Sequence, residues 1–307
     1  MRISIVIPIF EKRRLTYLKT SLKSFARQTY KNIEVIIIVE KDKIIYKKLK
    51  DYLSSLDLKH KILFQERVTS LSSARNRGID AASGDIIAFL DDDAIPFRDW
   101  AERVAETYSN LNPAGVTGKI IPSWIGKRPS FLSEELYWLI GATYKGFPEK
   151  LCRVDWGLGA NISFRREVFE RIGRFSEELG FSGSRKIPIG GEEVEFCLRL
   201  VKDRGKIIYN PDAKVLHKID PAKLALKRLL LRSFWYGRGR KLIESRIKTG
   251  HRYERSYLRV LLNFYIEDPT SLPHRKFTSL KRIIFTTAVL ILVMLGYFYS
   301  ILRPMTD

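Results

Sequence analysis

Residues 85–93 read Asp-Ile-Ile-Ala-Phe-Leu-Asp-Asp-Asp, an apolar run that stops on three consecutive carboxylates. A short, unbroken apolar run bounded by polar residues predicts a strand buried on both faces. Three like charges at its end repel one another and must be desolvated beside a sheet, so something cationic has to offset them. A hard divalent cation such as Mg²⁺ or Mn²⁺, which takes oxygen ligands and can also bind substrate phosphates, does this. A solvated acidic loop capping the next helix is the plainer alternative, but a cap needs only one Asp.

Outward from that run the pattern repeats. Ile3–Ile9, Glu34–Val39 and Lys61–Phe64 are further short runs rich in Ile and Val, and Asp85–Leu90 is the fourth. Between them lie the helical patterns Leu15–Arg27, Lys43–Leu56 and Ser72–Ala82, with Thr69 and Ser70 placed to cap the third; Ala94–Leu111 is the helix that follows the carboxylates. Alternating strands and helices predict an α/β domain with a mainly parallel sheet flanked by helices. Such sheets bind ligands beyond the carboxyl ends of their strands. The candidates there are Pro8-Ile9-Phe10-Glu11, Glu40-Lys41-Asp42 and Asp91-Asp92-Asp93. Arg75 and Asn76, in the segment LSSARNRG, are expected to face the same crevice as donors to phosphate or base.

The composition narrows the classes. Of 307 residues, 45% are hydrophobic and 29% charged, which excludes a disordered chain, and two cysteines exclude a disulfide scaffold. The net charge of +21 is uneven: residues 222–307 hold 17 Lys and Arg against 5 Asp and Glu. Within them Ile283–Leu302 carries no charge over 20 positions. As a helix it is about 30 Å long, the thickness of a bilayer core. Tyr297 and Tyr299 near one end, and the flanking Lys281, Arg282 and Arg303, suit a single transmembrane helix. The basic residues before it place the N-terminal part in the cytoplasm, and Met1-Arg2 runs straight into a strand pattern with no signal peptide. Between Ala222 and Arg259, twelve Lys and Arg interleave with Leu, Phe and Trp, as in an amphipathic helix in the headgroup region drawn to anionic lipid. A single-stranded nucleic-acid groove is the rival explanation. The expected organisation is a catalytic-type α/β domain over 1–220, a basic juxtamembrane region over 221–282, the membrane helix over 283–302 and a tail over 303–307.

With VIPIF, ARNRG and FLDDD in order, then GANISFRREVFERIG (Gly159–Gly173) and GGEEVEFCLRL (Gly190–Leu200), the chain resembles the family 2 glycosyltransferases over roughly Met1 to His217. That resemblance implies a GT-A fold and an inverting transferase using a nucleotide-sugar and a divalent metal. It implies that Pro8, Phe10, Glu11 and Glu40 border the nucleotide and that Arg75 lies beside it. Asp91, Asp92 and Asp93 stand in for the family's Asp-x-Asp, which holds ribose and the metal-bridged diphosphate. His217 matches a late metal-ligand histidine of some GT-A enzymes. Two positions depart from the family: Glu40-Lys41-Asp42 replaces the usual Asp-Asp, and Glu192-Glu193 replaces the Glu-Asp pair whose second member acts as base. Glu193 is then the expected base and Glu192 the second candidate, because a Glu is one methylene longer with nearly the same intrinsic pKa. Their place after Gly190-Gly191 predicts a helix N-terminus, which would depress the Glu193 pKa.

On the acceptor side, Trp124, Trp138 and Trp156 offer flat apolar faces for sugar rings, although core packing is the commoner use of a Trp. Gly157, Gly159, Ala160 and Asn161 are expected to let backbone approach the acceptor. Residues 181–186, with Arg185 and Lys186, form a candidate lid that could meet a phosphate. The Trp124-Ile125, Trp138-Leu139-Ile140-Gly141 and Asp155-Trp156-Gly157 segments are similar to archaeal glucosyl-dolichyl phosphate glucuronosyltransferases. The resulting expectation is transfer from a UDP-sugar, with UDP-glucuronate as the donor that the finer similarity implies, to a polyprenyl or dolichyl phosphate-linked acceptor at the cytoplasmic face of the cell membrane. The alternatives are a noncatalytic membrane-anchored nucleotide-sugar-binding scaffold, or a basic nucleic-acid-binding protein whose partner the acidic clusters would oppose.

Overall fold

A computed structural model of the chain describes residues 1–67, 69–181, 188–247 and 276–303. They form two compact units: Met1–Ile121 with Pro148–Pro188 and Glu192–Lys218, and Pro122–Phe147 with Ile189–Gly191 and the chain from Ile219 onward.

The first unit is built on the strands read from sequence. Strands β1 (Ile3–Ile9), β2 (Ile33–Glu40), β3 (His60–Gln65) and β4 (Ile86–Phe89) alternate with helices α1 (Leu15–Ala26), α2 (Lys43–Leu53) and α3 (Leu71–Ala81). Beyond β4 come β5 (Ala94–Pro96), helix α4 (Trp100–Leu111), β6 (Gly115–Trp124), β7 (Cys152–Val154), β8 (Ile162–Arg165) and helix α5 (Arg166–Arg171). Short strands β9 (Gly180–Phe181) and β10 (Pro188–Ile189), helix α6 (Glu192–Lys202) and β11 (Ile207–Ile219) complete it. The sheet order is β3-β2-β1-β4-β8-β6-β11-β5, with β7 paired to β11. Strands β3, β2, β1 and β4 run parallel, and β8 turns the sheet antiparallel against β4. Every residue of β1, β2 and β4 is buried, which is why these strands read as continuous rather than alternating apolar runs.

Two local features aim the strand ends. Ser70 caps α3 by accepting from the Ser73 N–H at 3.1 Å, and Asp42 caps α2 by accepting from Ile44 and Ile45 at 2.9 Å each. Gly78, which ends the ARNRG motif, lies so close to β1 that a Cβ there would sit 2.2 Å from Val6 Cγ1. A glycine is required for α3 to press on the strand. The core is aromatic at its centre: Phe164 meets Phe196 edge-on at 4.7 Å and Phe89 meets Phe175 at 5.0 Å, geometries that aromatic quadrupoles favour.

The second unit holds the 3-10 helix Glu134–Ile140, helix α7 (Leu226–Ile247) and helix α8 (Lys276–Leu302). Trp138 stacks at 4.4 Å from Tyr236 of α7 and is buried, so it takes the packing role rather than facing a sugar. Phe131 packs at 4.7 Å on Phe285 of α8, and Trp124 meets Tyr137 at 5.7 Å. Helices α7 and α8 touch backbone to backbone. A Cβ on Gly237 would lie 2.0 Å from Val293 O, and one on Gly296 would lie 1.9 Å from Phe234 O. Leu280–Leu302 is long and apolar enough to cross a membrane. Its exposed face is an apolar stripe that includes Ile284, Ile291, Met294, Leu295 and Phe298.

Candidate active site

The carboxylate run leaves β4 and is held by backbone on both sides. Ala94 N donates to Asp91 O at 3.0 Å, and Lys218 N donates to Asp93 O at 2.9 Å. The second bond follows from register: β11 pairs antiparallel with β5 so that His217 lies opposite Ala94. His217 is thereby carried from the far end of the catalytic sequence to Asp93, with Nε2 2.8 Å from Oδ1. Ligand atoms of Asp91, Asp93 and His217 all lie within 4.8 Å of one another.

The donor set fits a divalent cation. Two hard carboxylates and one imidazole suit a divalent cation, and Asp91, about a third exposed, leaves the group accessible. Asp92 behaves differently from its neighbours. It is buried, its Oδ1 accepts from Arg14 Nη1 at 2.8 Å, and its Oδ2 has no hydrogen-bond partner among the described residues. Burial, then the charges of Asp93 and Asp91, push its carboxyl above the ordinary carboxylate range despite Arg14. Arg14 also lies 3.7 Å from Asp93 Oδ2. Burial opposes the Arg14 charge, but Asp92 and Asp93 outweigh it and raise its pKa. Sequence reading required a counter-charge for the three Asp and assigned it to a metal alone; Arg14 supplies part of it from within.

Arg75, on the second turn of α3, connects this group to the acidic pair. Its Nη1 donates to Glu192 Oε1 at 2.8 Å, and its Nη2 lies 3.5 Å from Asp91 Oδ1 and 3.4 Å from Gly159 O. A Cβ on Gly159 would sit 2.6 Å from Arg75 Nη2, and one on Gly157 would sit 2.4 Å from Thr117 Oγ1. These glycines make room for the protein's own side chains, not only for a ligand.

Glu192 and Glu193 open α6, as their spacing after two glycines predicts. They differ in engagement. Glu192 is buried on Arg75, whereas Glu193 keeps partial exposure. The expectation that the helix N-terminus depresses the Glu193 pKa is reversed. Desolvation, then the neighbouring Glu192 charge, raises it well above the ordinary carboxylate range; Arg75 and the backbone N–H only partly offset this.

The remaining sequence candidates divide between the strand ends and the core. Pro8 is buried at the end of β1, Phe10 is exposed beyond it, and Glu11 pairs with Arg13 and Arg14. Glu40 is buried at the end of β2 and accepts from Thr69 Oγ1 at 2.7 Å and Thr69 N at 3.3 Å. Its capacity is largely taken by Thr69, a partner that sequence reading did not assign. Asn76 does not join Arg75 as a ligand donor: it donates to Phe175 O at 3.0 Å and Glu177 Oε1 at 3.1 Å, and accepts from Phe175 N at 3.1 Å. Asn161, expected on the acceptor, is turned inward. It accepts from Trp100 Nε1 at 2.9 Å and donates to Ala213 O at 2.7 Å and Lys119 O at 3.2 Å, so its amide is satisfied by the core. Ala160 is buried beside it, and Trp156 packs half-buried against the hydrophobic core. Arg185 and Lys186 lie outside the described residues.

Comparison with known proteins is consistent with this arrangement. The profile described as glycosyl transferase family 2 matches residues 4–173. The chain is 29% identical over 316 residues to the glucosyl-dolichyl phosphate glucuronosyltransferase of Haloferax volcanii, covering 99% of this chain and 97% of that protein. It is also 29% identical over 180 residues to the succinoglycan biosynthesis protein ExoM of Rhizobium meliloti, covering 57% of this chain and 54% of that one. Among solved structures it resembles the mannosyltransferase PcManGT of Pyrobaculum calidifontis, determined with GDP-Man and Mn²⁺. That match has a TM-score of 0.64 and 13% identity, and covers 99% of this chain and 88% of the other. At that identity the likeness speaks to fold, which is of the GT-A type.

Proposed function

The chain belongs to glycosyl transferase family 2, and on that footing we propose that it transfers a hexuronosyl residue from a UDP-sugar, with inversion, to a polyprenyl or dolichyl phosphate-linked sugar. The observation that carries this reading is the end-to-end match to the Haloferax volcanii glucuronosyltransferase, which extends past the catalytic motifs into the basic and apolar C-terminal helices.

Each residue then has a task. Asp91, Asp93 and His217 hold the divalent cation, Mn²⁺ or Mg²⁺, which when bound neutralises charge on the donor diphosphate. Glu193 removes the proton from the acceptor hydroxyl; its raised pKa makes it a competent base near neutral pH. Glu192 holds Arg75, and Arg75 fixes Glu192 and Asp91 in one frame. Pro8, Phe10, Glu11 and Glu40 border the nucleotide. Trp156, Gly159 and Ala160 serve the acceptor; Trp124 is a separate candidate for it, and Arg185 is assigned to a phosphate.

We propose that α7 and α8 anchor the protein at the cytoplasmic face of the membrane, with Leu280–Leu302 as the single membrane segment. Arg238 and Glu244 of α7 lie against Tyr299, Ser300 and Tyr297 of α8. At the membrane the exposed apolar stripe of α8 meets hydrocarbon, while the Lys and Arg of α7 meet the anionic inner leaflet.

The test is a panel of nucleotide-sugars incubated with the protein, Mn²⁺ or Mg²⁺, and a short polyprenyl phosphate or its monoglucosyl form. Metal-dependent transfer from a UDP-hexuronate to the monoglucosyl lipid is expected, with the anomeric configuration inverted by NMR. Transfer from another donor alone would overturn the donor assignment, and no transfer or hydrolysis from any donor would overturn the enzymatic reading.

A further inference from the structure

Helix α1 carries polar side chains on the face that it turns to the protein. Ser21 and Gln28 are fully buried and Ser24 is half-buried, at spacings of three and four residues that put them on one face. Buried hydroxyls and amides cost free energy unless they are hydrogen-bonded. The exposed Thr20 bonds back to its own helix, at Thr16 O, as helix hydroxyls commonly do. Ser21 and Ser24 bond out of the helix instead. Ser21 Oγ donates to Ala94 O, and Ser24 Oγ donates to Pro96 O at 2.5 Å. Gln28 Nε2 donates to Phe97 O at 2.7 Å, while its Oε1 accepts from Ala101 N, in the first turn of α4, at 2.9 Å. Two turns before Ser21, Arg14 pairs with Asp92 at 2.8 Å. The helix thus grips the chain that leaves the carboxylate run at successive points.

Those points lie on β5 and the residue after it. Strand β5 is three residues long and stands at the edge of the sheet. Asp93 O accepts from Lys218 N and Phe97 N donates to Lys214 O, both toward β11, so the alternate carbonyls of Ala94 and Pro96 face away from β11. Helix α1 supplies a donor to each. Pro96 has no N–H to offer on that side, as suits an edge position. The sequence Ala-Ile-Pro holds little side-chain pattern to set a register, and a slip of one residue exchanges the faces of a strand. Register is what brings Asp93 to His217, because His217 lies opposite Ala94. We propose that Ser21, Ser24 and Gln28 are positioning residues of the metal centre: bonded to the outer edge of β5, they fix the register that holds Asp91 and Asp93 against His217. They act through the strand and not on the cation itself.

This inference rests on the assignment of the cation to Asp91, Asp93 and His217, and the test separates the two. Mn²⁺ alone is titrated into the full-length protein, and the EPR signal of the free ion gives its Kd. The double variant Ser21→Ala/Ser24→Ala is expected to raise that Kd by about tenfold, the effect of losing groups that support a metal site from outside its ligand set. Ser24→Ala alone is expected to raise it in the same direction, and Ser24→Thr, which keeps a hydroxyl, to restore it. Leu49→Ala, in the buried face of α2, serves as the control for lost stability, with Leu49→Val in its place where the alanine variant does not fold. The folded control is expected to bind Mn²⁺ with the wild-type Kd even when its Tm falls as far as that of the double serine variant. A wild-type Kd in the double serine variant, or an equal rise in the Leu49 control at equal loss of Tm, overturns the positioning role while leaving the metal assignment in place. A wild-type Kd in His217→Ala places the ion elsewhere and overturns both.

Discussion

Arg75 donates to Glu192 at 2.8 Å across 117 residues of chain, with the two side chains only 3% and 4% exposed. A pair this buried is not a large source of net stability, but removing one partner strands the other charge. Arg75→Ala and Glu192→Ala should each cost about 3–5 kcal/mol in chemical denaturation. The double variant should cost clearly less than the sum. Additive losses would mean that the two charges are independently solvated.

Metal binding should be visible without any substrate. A cation that binds only the folded chain at about 100 times its Kd adds about 2.7 kcal/mol of stability. Titration with Mn²⁺ should therefore raise Tm, EDTA should reverse it, and His217→Ala or Asp93→Asn should remove most of the rise. A full Tm rise in both variants would place the ion elsewhere.

The raised pKa of Glu193 sets two pH dependences. As a base it must be ionised, so the acid limb of kcat/KM should lie above the ordinary carboxylate range. Glu192→Gln removes a like charge and should move that limb to lower pH. Stability runs the other way. With a folded pKa above the unfolded one, the contribution of Glu193 is present below the ordinary carboxylate value and is lost as pH rises through its raised value. Metal-free protein should thus lose stability over that interval, and Glu193→Gln should flatten the loss. A limb at the ordinary carboxylate value would contradict the crowding described at this position.

Asn161 tests the division between core and ligand. Asn161→Leu leaves the buried Trp100 N–H and the Ala213 carbonyl without partners, at about 1–3 kcal/mol for each. Thermal unfolding should register that loss while the folded variant keeps its acceptor KM. A raised acceptor KM at unchanged stability would return Asn161 to the acceptor site.

What sequence revealed and what it hid divide along physical lines. The apolar runs of β1, β2 and β4 are legible because strands buried on both faces need no partner to be recognised, and the Ser70 cap because it acts within three residues. The carboxylate run was legible as an excess of charge that a sheet edge does not need. Its internal counter-charge, Arg14, was not assigned, since that pairing joins residues 78 apart. The same holds for the Arg75 pairing. Direction was the other hidden quantity: Asn76, Asn161 and Trp138 have side chains that suit a ligand, but the neighbours that turn them inward come from distant segments. Gly296, within the apolar helix, is where α8 meets α7, a contact that only the structure reveals.

The central claim is that Glu193 takes the acceptor proton while the neighbouring groups hold donor and metal. Its most direct test measures Mn²⁺-dependent donor binding and transfer to the glucosyl polyprenyl phosphate acceptor for Glu193→Gln and the wild type in parallel. Donor affinity should be unchanged, and kcat should fall by about 10²–10⁴. Transfer at the wild-type rate in Glu193→Gln would contradict the account.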